Sequence, residues 1–238
     1  MNRKMVRTIT LGTLALVAVL SAARPGRAAD DKMASLDQYL MADRNAEIAL
    51  ARSAAPPSIA KDATVMVLGK HGYETAVEGT NGFVCIVGRT WTDGFDRPEF
   101  WNPKNRGPAC ANPQAARSVL PIDLMRTRFA LAGQTKEEIH ESMKAAIAKG
   151  ELPALEPGAM IYMLSKQQRL NDSVGHWHPH LMFYVPLGDA KTWGADKPDS
   201  PIFATPRFNG DPEPLTELIV VVSTWSDGTP AESDDHAH

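Results

Sequence analysis

His176-Trp177-His178-Pro179-His180-Leu181-Met182-Phe183-Tyr184-Val185 is the stretch on which the reading of this chain turns. Its second half is an unbroken apolar run, and Leu218-Ile219-Val220-Val221-Val222 repeats the pattern further on. Runs apolar at every position suit strands buried on both faces, so residues 178–185 and 218–224 are expected to be central strands of a sheet. The first half packs three of the seven histidines into five residues. Side chains at i, i+2 and i+4 of an extended segment point to one side. The spacing therefore predicts that His176, His178 and His180 share a face at the mouth of a central strand.

Neutral imidazole ligates zinc, copper, iron and nickel, so this face is a candidate transition-metal site. His176 and His180 would lie roughly 13 Å apart along an ideal strand at about 3.3 Å per residue, too far for one ion. The expected ligand pair is His178 with His180 or with His176, completed from elsewhere in the fold. The competing reading is a structural cluster, with neutral imidazoles hydrogen-bonded to nearby carbonyls and carboxylates. General acid–base work without a metal is a third use, but no Ser or Cys elbow or carboxylate pair nominates a partner.

Outward from this segment, residues 35–52 read as one helix with Ser35 as its N-cap, blocked beyond by Pro56-Pro57. Residues 64–69, 73–77 and 82–89 read as three strands of an antiparallel meander, separated by His71-Gly72 and by Gly79-Thr80-Asn81-Gly82. Residues 91–113 read as a long irregular loop carrying Trp91, Phe95, Phe100 and Trp101 among prolines and glycines. Its aromatics are expected to fill a satellite core; a ligand-binding lid is the other use of such a loop. Asn112-Pro113 caps a short helix that Pro121 interrupts before residues 122–132 resume. Thr135 and Glu138 form a capping box, with Ile139, Met143 and Ile147 as one apolar stripe ending at Lys149-Gly150. A further strand is expected at residues 159–165.

Residues 1–29 read as an export signal: basic Arg3, Lys4 and Arg7, a short apolar core, then the small residues around Gly26-Arg27-Ala28. Without them, Lys plus Arg falls from 25 to 20 against 28 acidic residues, and the net charge moves from −3 to −8. An acidic chain with no basic cluster excludes nucleic acid as a partner. No later stretch reaches membrane-spanning length, so a periplasmic or secreted bacterial protein is expected. In that oxidising compartment the two cysteines, Cys85 and Cys110, are expected to form a disulfide tying the long loop to the sheet.

Two motifs invite comparison. His176-Trp177-His178 resembles one copper motif of laccase-type multicopper oxidases, whose other His-rich motifs and cysteine are absent. His176-x-His178 resembles the first cupin motif, but Leu181 to Tyr184 stand where that motif carries its Glu. Asn81-Gly82-Phe83-Val84-Cys85, Phe100-Trp101-Asn102-Pro103 and Gly175 to Phe183 resemble segments of exported bacterial proteins of unassigned function, which implies a compartment and no activity.

The whole reading is one α+β domain over residues 30–231, a mostly antiparallel sheet with helices from the N-terminal segment and residues 113–149. An acidic tail follows at 232–238, where His236 and His238 are weak ligand candidates. The expected function is metal binding, or metal-dependent enzymatic work, at His176, His178 and His180, or else non-catalytic binding of a small molecule or protein through the loop at 91–113 with the histidines structural.

Overall fold

Strand β1 (Thr64–Gly69) turns at Lys70-His71 into β2 (Gly72–Val77), and the two pair antiparallel. Gly72, at φ 126°, occupies a conformation that only glycine adopts without strain. The expected meander stops there. Strand β3 (Val84–Gly88) crosses back and pairs in parallel with the other edge of β1. Gly79 permits the crossing, because a Cβ there would lie 2.1 Å from the Thr64 backbone nitrogen. The Thr80 and Asn81 N–H groups then donate to the Asp62 carbonyl at 2.8 and 3.3 Å.

The computed structural model describes residues 32–231 apart from 98, 173–174, 189 and 207–210. The expected signal at 1–29 and the tail at 232–238, with His236 and His238, lie outside the described residues. From β3 the sheet continues through β4 (Gly107–Ala111), β5 (Met160–Met163), β6 (His180–Pro186), β7 (Ile202–Pro206) and β8 (Leu215–Val221). Its order is β2-β1-β3-β4-β5-β6-β8-β7, and every pairing but β1 with β3 is antiparallel. Both apolar runs lie inside the sheet as expected, although Phe183 on β6 keeps 36% of its surface exposed.

Helices α1 (Arg44–Arg52) and α2 (Pro57–Ala60) bury Leu50, Ala51 and Ala60 with Val65, Cys85, Val87 and Cys110. The opposite core joins Ile161 and Met163 of the sheet to α3 (Pro113–Ser118), α4 (Leu120–Leu131) and α5 (Lys136–Ala148). Trp91, Phe95, Phe100 and Trp101 are buried in this second core, so the aromatic segment fills the interior as expected. Together these elements make one α+β domain, an eight-stranded, mostly antiparallel open sheet packed by helices. Among the described residues no helix is long and apolar enough to cross a membrane.

Two segments differ in kind from the sequence reading. Residues 35–52 are not one helix: a 3-10 turn, Leu36–Gln38, precedes α1, and Asp43 caps α1 by accepting the Asn45 N–H at 2.8 Å. Tyr39 interrupts because it is fully buried, its hydroxyl donating to the Trp101 carbonyl at 2.7 Å. Residues 91–113 are not all loop, since β4 lies within them. The Cys85–Cys110 disulfide therefore joins directly paired residues of β3 and β4 and does not tie a loop to the sheet.

The α5 capping box is present in full: Glu138 N–H donates to Thr135 Oγ1 at 3.2 Å and Thr135 N–H to Glu138 Oε2 at 2.8 Å. Thr135→Ala is expected to cost about 1 kcal/mol. Urea denaturation checks this, and an unchanged midpoint would contradict it.

Candidate functional site

Gly175, at φ 67°, opens the histidine segment, and residues 176–179 run outside any strand. Only His180 belongs to β6, in register with Met163 on one side and Val221 on the other. His176 stands at a bend and residues 177–179 belong to no strand, so no single strand carries all three histidines. His176 is exposed, its ring 6.2 Å from that of Trp225. His178 is half-buried, and His180 is buried with its ring 4.8 Å from that of Trp177. Gln168 Nε2 donates to the Trp177 carbonyl and Val222 N–H to that of Pro179, so one side-chain and one main-chain donor hold the segment.

His180 Nδ1 lies 2.8 Å from the His178 carbonyl oxygen. A carbonyl only accepts, so Nδ1 carries the proton and Nε2 keeps a lone pair. Burial pulls the His180 pKa down to about 4, the carbonyl bond opposes this, and the neighbouring His178 adds to it. Among the described residues no three His, Cys, Asp or Glu side chains are grouped to hold a metal ion. His140 of α5 packs its ring 5.0 Å from that of Phe95, and His71 stands in the β1–β2 turn.

A second feature lies on the sheet face that packs against the aromatic core. Gly88 of β3 pairs with Gly107 of β4, so two adjacent strands lack side chains at one level of one face. The missing volume is a cavity of about 80 Å³, floored by Ile86, Ala109, Ile161 and Met182. Its walls are polar: Thr92 and Asp93 after β3, Asn105 before β4, Asp123 from α4, Arg169, and Glu217 from β8. Asp123 and Glu217 are 8% and 4% exposed.

Two buried arginines, in three ion pairs, brace these walls. Arg89 donates from Nε to the Tyr39 carbonyl at 2.9 Å, from Nη2 to Glu47 Oε1 at 2.9 Å, and from Nη1 to the Val87 carbonyl. Arg126 donates to Glu213 through Nε at 2.9 Å and Nη2 at 2.7 Å, to Asp211 Oδ2 at 2.8 Å, and from Nη1 to the Asp93 carbonyl at 2.7 Å. Both guanidinium groups are thus spent on structure.

Two atoms of the lining residues are not satisfied. Asn105, 4% exposed, donates from Nδ2 to the Leu170 carbonyl, yet its buried Oδ1 has no partner among the described residues. Arg169 bonds Asp172 through Nη2, while its buried Nε is unpartnered in the same sense. Two of the residues lining the cavity therefore each carry one buried polar atom without a hydrogen-bond partner among the described residues.

Burial is the largest influence raising the Asp93 pKa, from 3.8 to about 7, with Asp123 and Glu217 adding to it and Arg97 and Arg126 opposing. The folded protein holds this proton more tightly than the unfolded chain, so the group's contribution to stability is lost as pH rises from about 4 to about 7. His180 acts oppositely. Its depressed pKa means the unfolded chain binds the proton first, and stability falls as pH drops from about 6.5 to about 4. Asp93→Asn is expected to flatten the decline near neutral pH and gain at least about 1 kcal/mol at pH 8. Urea denaturation across pH reads this, and a profile superimposing on wild type would contradict it.

The histidines were visible in sequence because the residue is rare and clustered. Asp93, Asn105, Asp123, Arg169 and Glu217 carried no such local mark. The available signal was charge inside apolar runs: Glu217 within Leu215 to Val221, and Asp123 beside Ile122 and Leu124. Comparison of the chain with protein-family models, with curated proteins and with solved structures gives no match.

Proposed function

We propose that this chain is an extracytoplasmic binding protein and that the cavity between the sheet and α4 holds its small polar ligand. One observation carries the reading: Asn105 Oδ1 and Arg169 Nε, both buried and unpartnered, belong to residues lining the same cavity. Leaving a buried polar atom unsatisfied costs about 1–3 kcal/mol, so such atoms mark where water or a guest binds. The compartment follows from the signal-like residues 1–29 and fits the buried disulfide.

Gly107→Val supplies a blocking variant. A Cβ at Gly107 meets only the Met163 methyl, at 3.6 Å, so this lining position has room for a side chain that takes up cavity volume. Thermal denaturation of the mature protein with a panel of small polar compounds tests the reading. A compound that raises the wild-type Tm but not that of Gly107→Val is expected. Equal effects on both proteins would overturn it.

His180 favours a second reading, a transition-metal site on His178 and His180 with His176 nearby. A neutral imidazole whose Nδ1–H is anchored on a carbonyl presents its other nitrogen as metal-ligating histidines do. Zinc, copper, iron or nickel would suit such ligands. Metal analysis of the mature protein beside His178→Ala decides: a stoichiometric ion lost in the variant supports the site, and no ion in either protein, with none taken up on addition, removes it.

A further inference from the structure

We propose that a second cavity, separate from the polar one, binds a neutral apolar small molecule of up to about ten carbon atoms. It lies where the C-terminal end of α5 and the chain after it meet α4 and the neighbouring ends of β6 and β8. The inference does not rest on the polar cavity holding a ligand.

Placement is the first argument. Ile122 and Leu215, only 3% and 5% exposed, are the most deeply buried apolar residues of its lining. Ile147, Leu152 and Leu155 line it half-buried. Pro153, Ala154, Pro186 and Pro214 are exposed lining residues, so the space opens to solvent and a guest can enter. The apolar stripe of α5 ends here. Ile139 and Met143 are fully buried in the core, whereas Ile147, the next member, borders this open space.

Hydrogen-bond demand is the second argument. Ser118 and Glu213 carry the polar side chains of the lining, and both are committed to protein partners. Ser118 Oγ donates to the Gln114 carbonyl at 2.8 Å, and the two Glu213 carboxylate oxygens accept from Arg126 at 2.9 and 2.7 Å. On the main chain, Leu215 N–H donates to the Glu213 carbonyl at 2.8 Å, and the Pro214 carbonyl accepts Leu187 N–H at 3.2 Å. The three lining prolines have no N–H to offer. A polar or charged guest would leave its hydrogen bonds to water without replacement, while an apolar one gains by leaving water.

Size sets the rest of the class. The cavity measures about 250 Å³. An apolar cavity of about 150 Å³ holds benzene, so in proportion this one takes about ten carbons.

Naphthalene, its carboxylate analogue naphthoate, and acetamide are the probes, each titrated into the mature protein while isoleucine δ1 methyl groups are followed by nuclear magnetic resonance. Naphthalene is expected to shift Ile122 and Ile147 saturably and to leave Ile86 and Ile161, which line the polar cavity, unmoved. Naphthoate is expected to bind at least about tenfold more weakly, and acetamide to leave Ile122 and Ile147 unmoved. Ile147→Phe and Ala154→Phe place a larger side chain at lining positions that are not fully buried, and each is expected to weaken naphthalene binding about tenfold, read at Ile122. If Ile147→Phe fails to fold, Ala154→Phe decides alone. Naphthoate or acetamide binding as tightly as naphthalene would overturn the apolar class. No saturable shift at Ile122 and Ile147, or undiminished binding in the folded variants, would overturn the site, and neither result bears on the polar cavity.

Discussion

Arg126→Met is expected to destabilise the protein by about 3–5 kcal/mol. The Arg126 side chain is fully buried, and its partners Glu213 and Asp211 are 0% and 1% exposed at their side chains. Removing the guanidinium takes from two interior carboxylates the charge that Arg126 sets against them and deprives the Asp93 carbonyl of its donor. The guanidinium also sits 4.4 Å from the Phe95 ring centroid, and that contact goes too. The loss should carry a pH signature. Burial already raises the Asp211 pKa with Arg126 present, so without it the folded variant takes up protons more readily and its deficit shrinks as pH falls. Urea denaturation at pH 8 and pH 5 checks both parts. A loss below about 1 kcal/mol, equal at the two pH values, would contradict them.

Removing the disulfide ranks next. Cys85 and Cys110 are 25 residues apart in sequence, fully buried and directly paired across β3 and β4. The bond constrains a loop whose closure is worth about 3–4 kcal/mol in the chain-entropy model. The double variant Cys85→Ala, Cys110→Ala is expected to lose about that much in guanidinium denaturation. Both side chains belong to the core under α1 and α2, whereas Ile86 and Ala109, the alternate residues of the same strands, floor the cavity. The variant should therefore bind like wild type wherever it is folded. An unchanged midpoint would contradict the stability part, and altered binding by folded protein would contradict the separation of the two faces.

Local chemistry was legible wherever a few adjacent residues decide an outcome. Asn112 accepts the Ala115 N–H at 2.8 Å with Pro113 beginning α3, and Pro121 stands in the first turn of α4. Thr135 and Glu138 cap α5, and the two cysteines pair. What escaped was set by distant contacts. Strand β4, Gly107-Pro108-Ala109-Cys110-Ala111, carries no β-branched or aromatic residue, so nothing local marks it as extended; β3 and β5 make it a strand. Strand β7 is a short edge ending at Pro206. The helix expected at 35–52 broke because burying Tyr39 outweighed helix propensity.

The same logic hid the cavity. It exists because Gly88 faces Gly107, a pairing invisible until β4 is recognised. Asn105 meets Leu170 across 65 residues, and no spacing rule links them. The histidines were conspicuous, but their shared face required one strand to carry all three, and only His180 lies in β6.

Native mass spectrometry of the mature protein, taken from the compartment in which it is made and compared with Gly107→Val and His178→Ala, tests the central claim most directly. The expected result is a fixed small-molecule mass increment on wild type and on His178→Ala that is missing from Gly107→Val. No increment on wild type, or one that Gly107→Val keeps and His178→Ala loses, would contradict the assignment of function to the cavity.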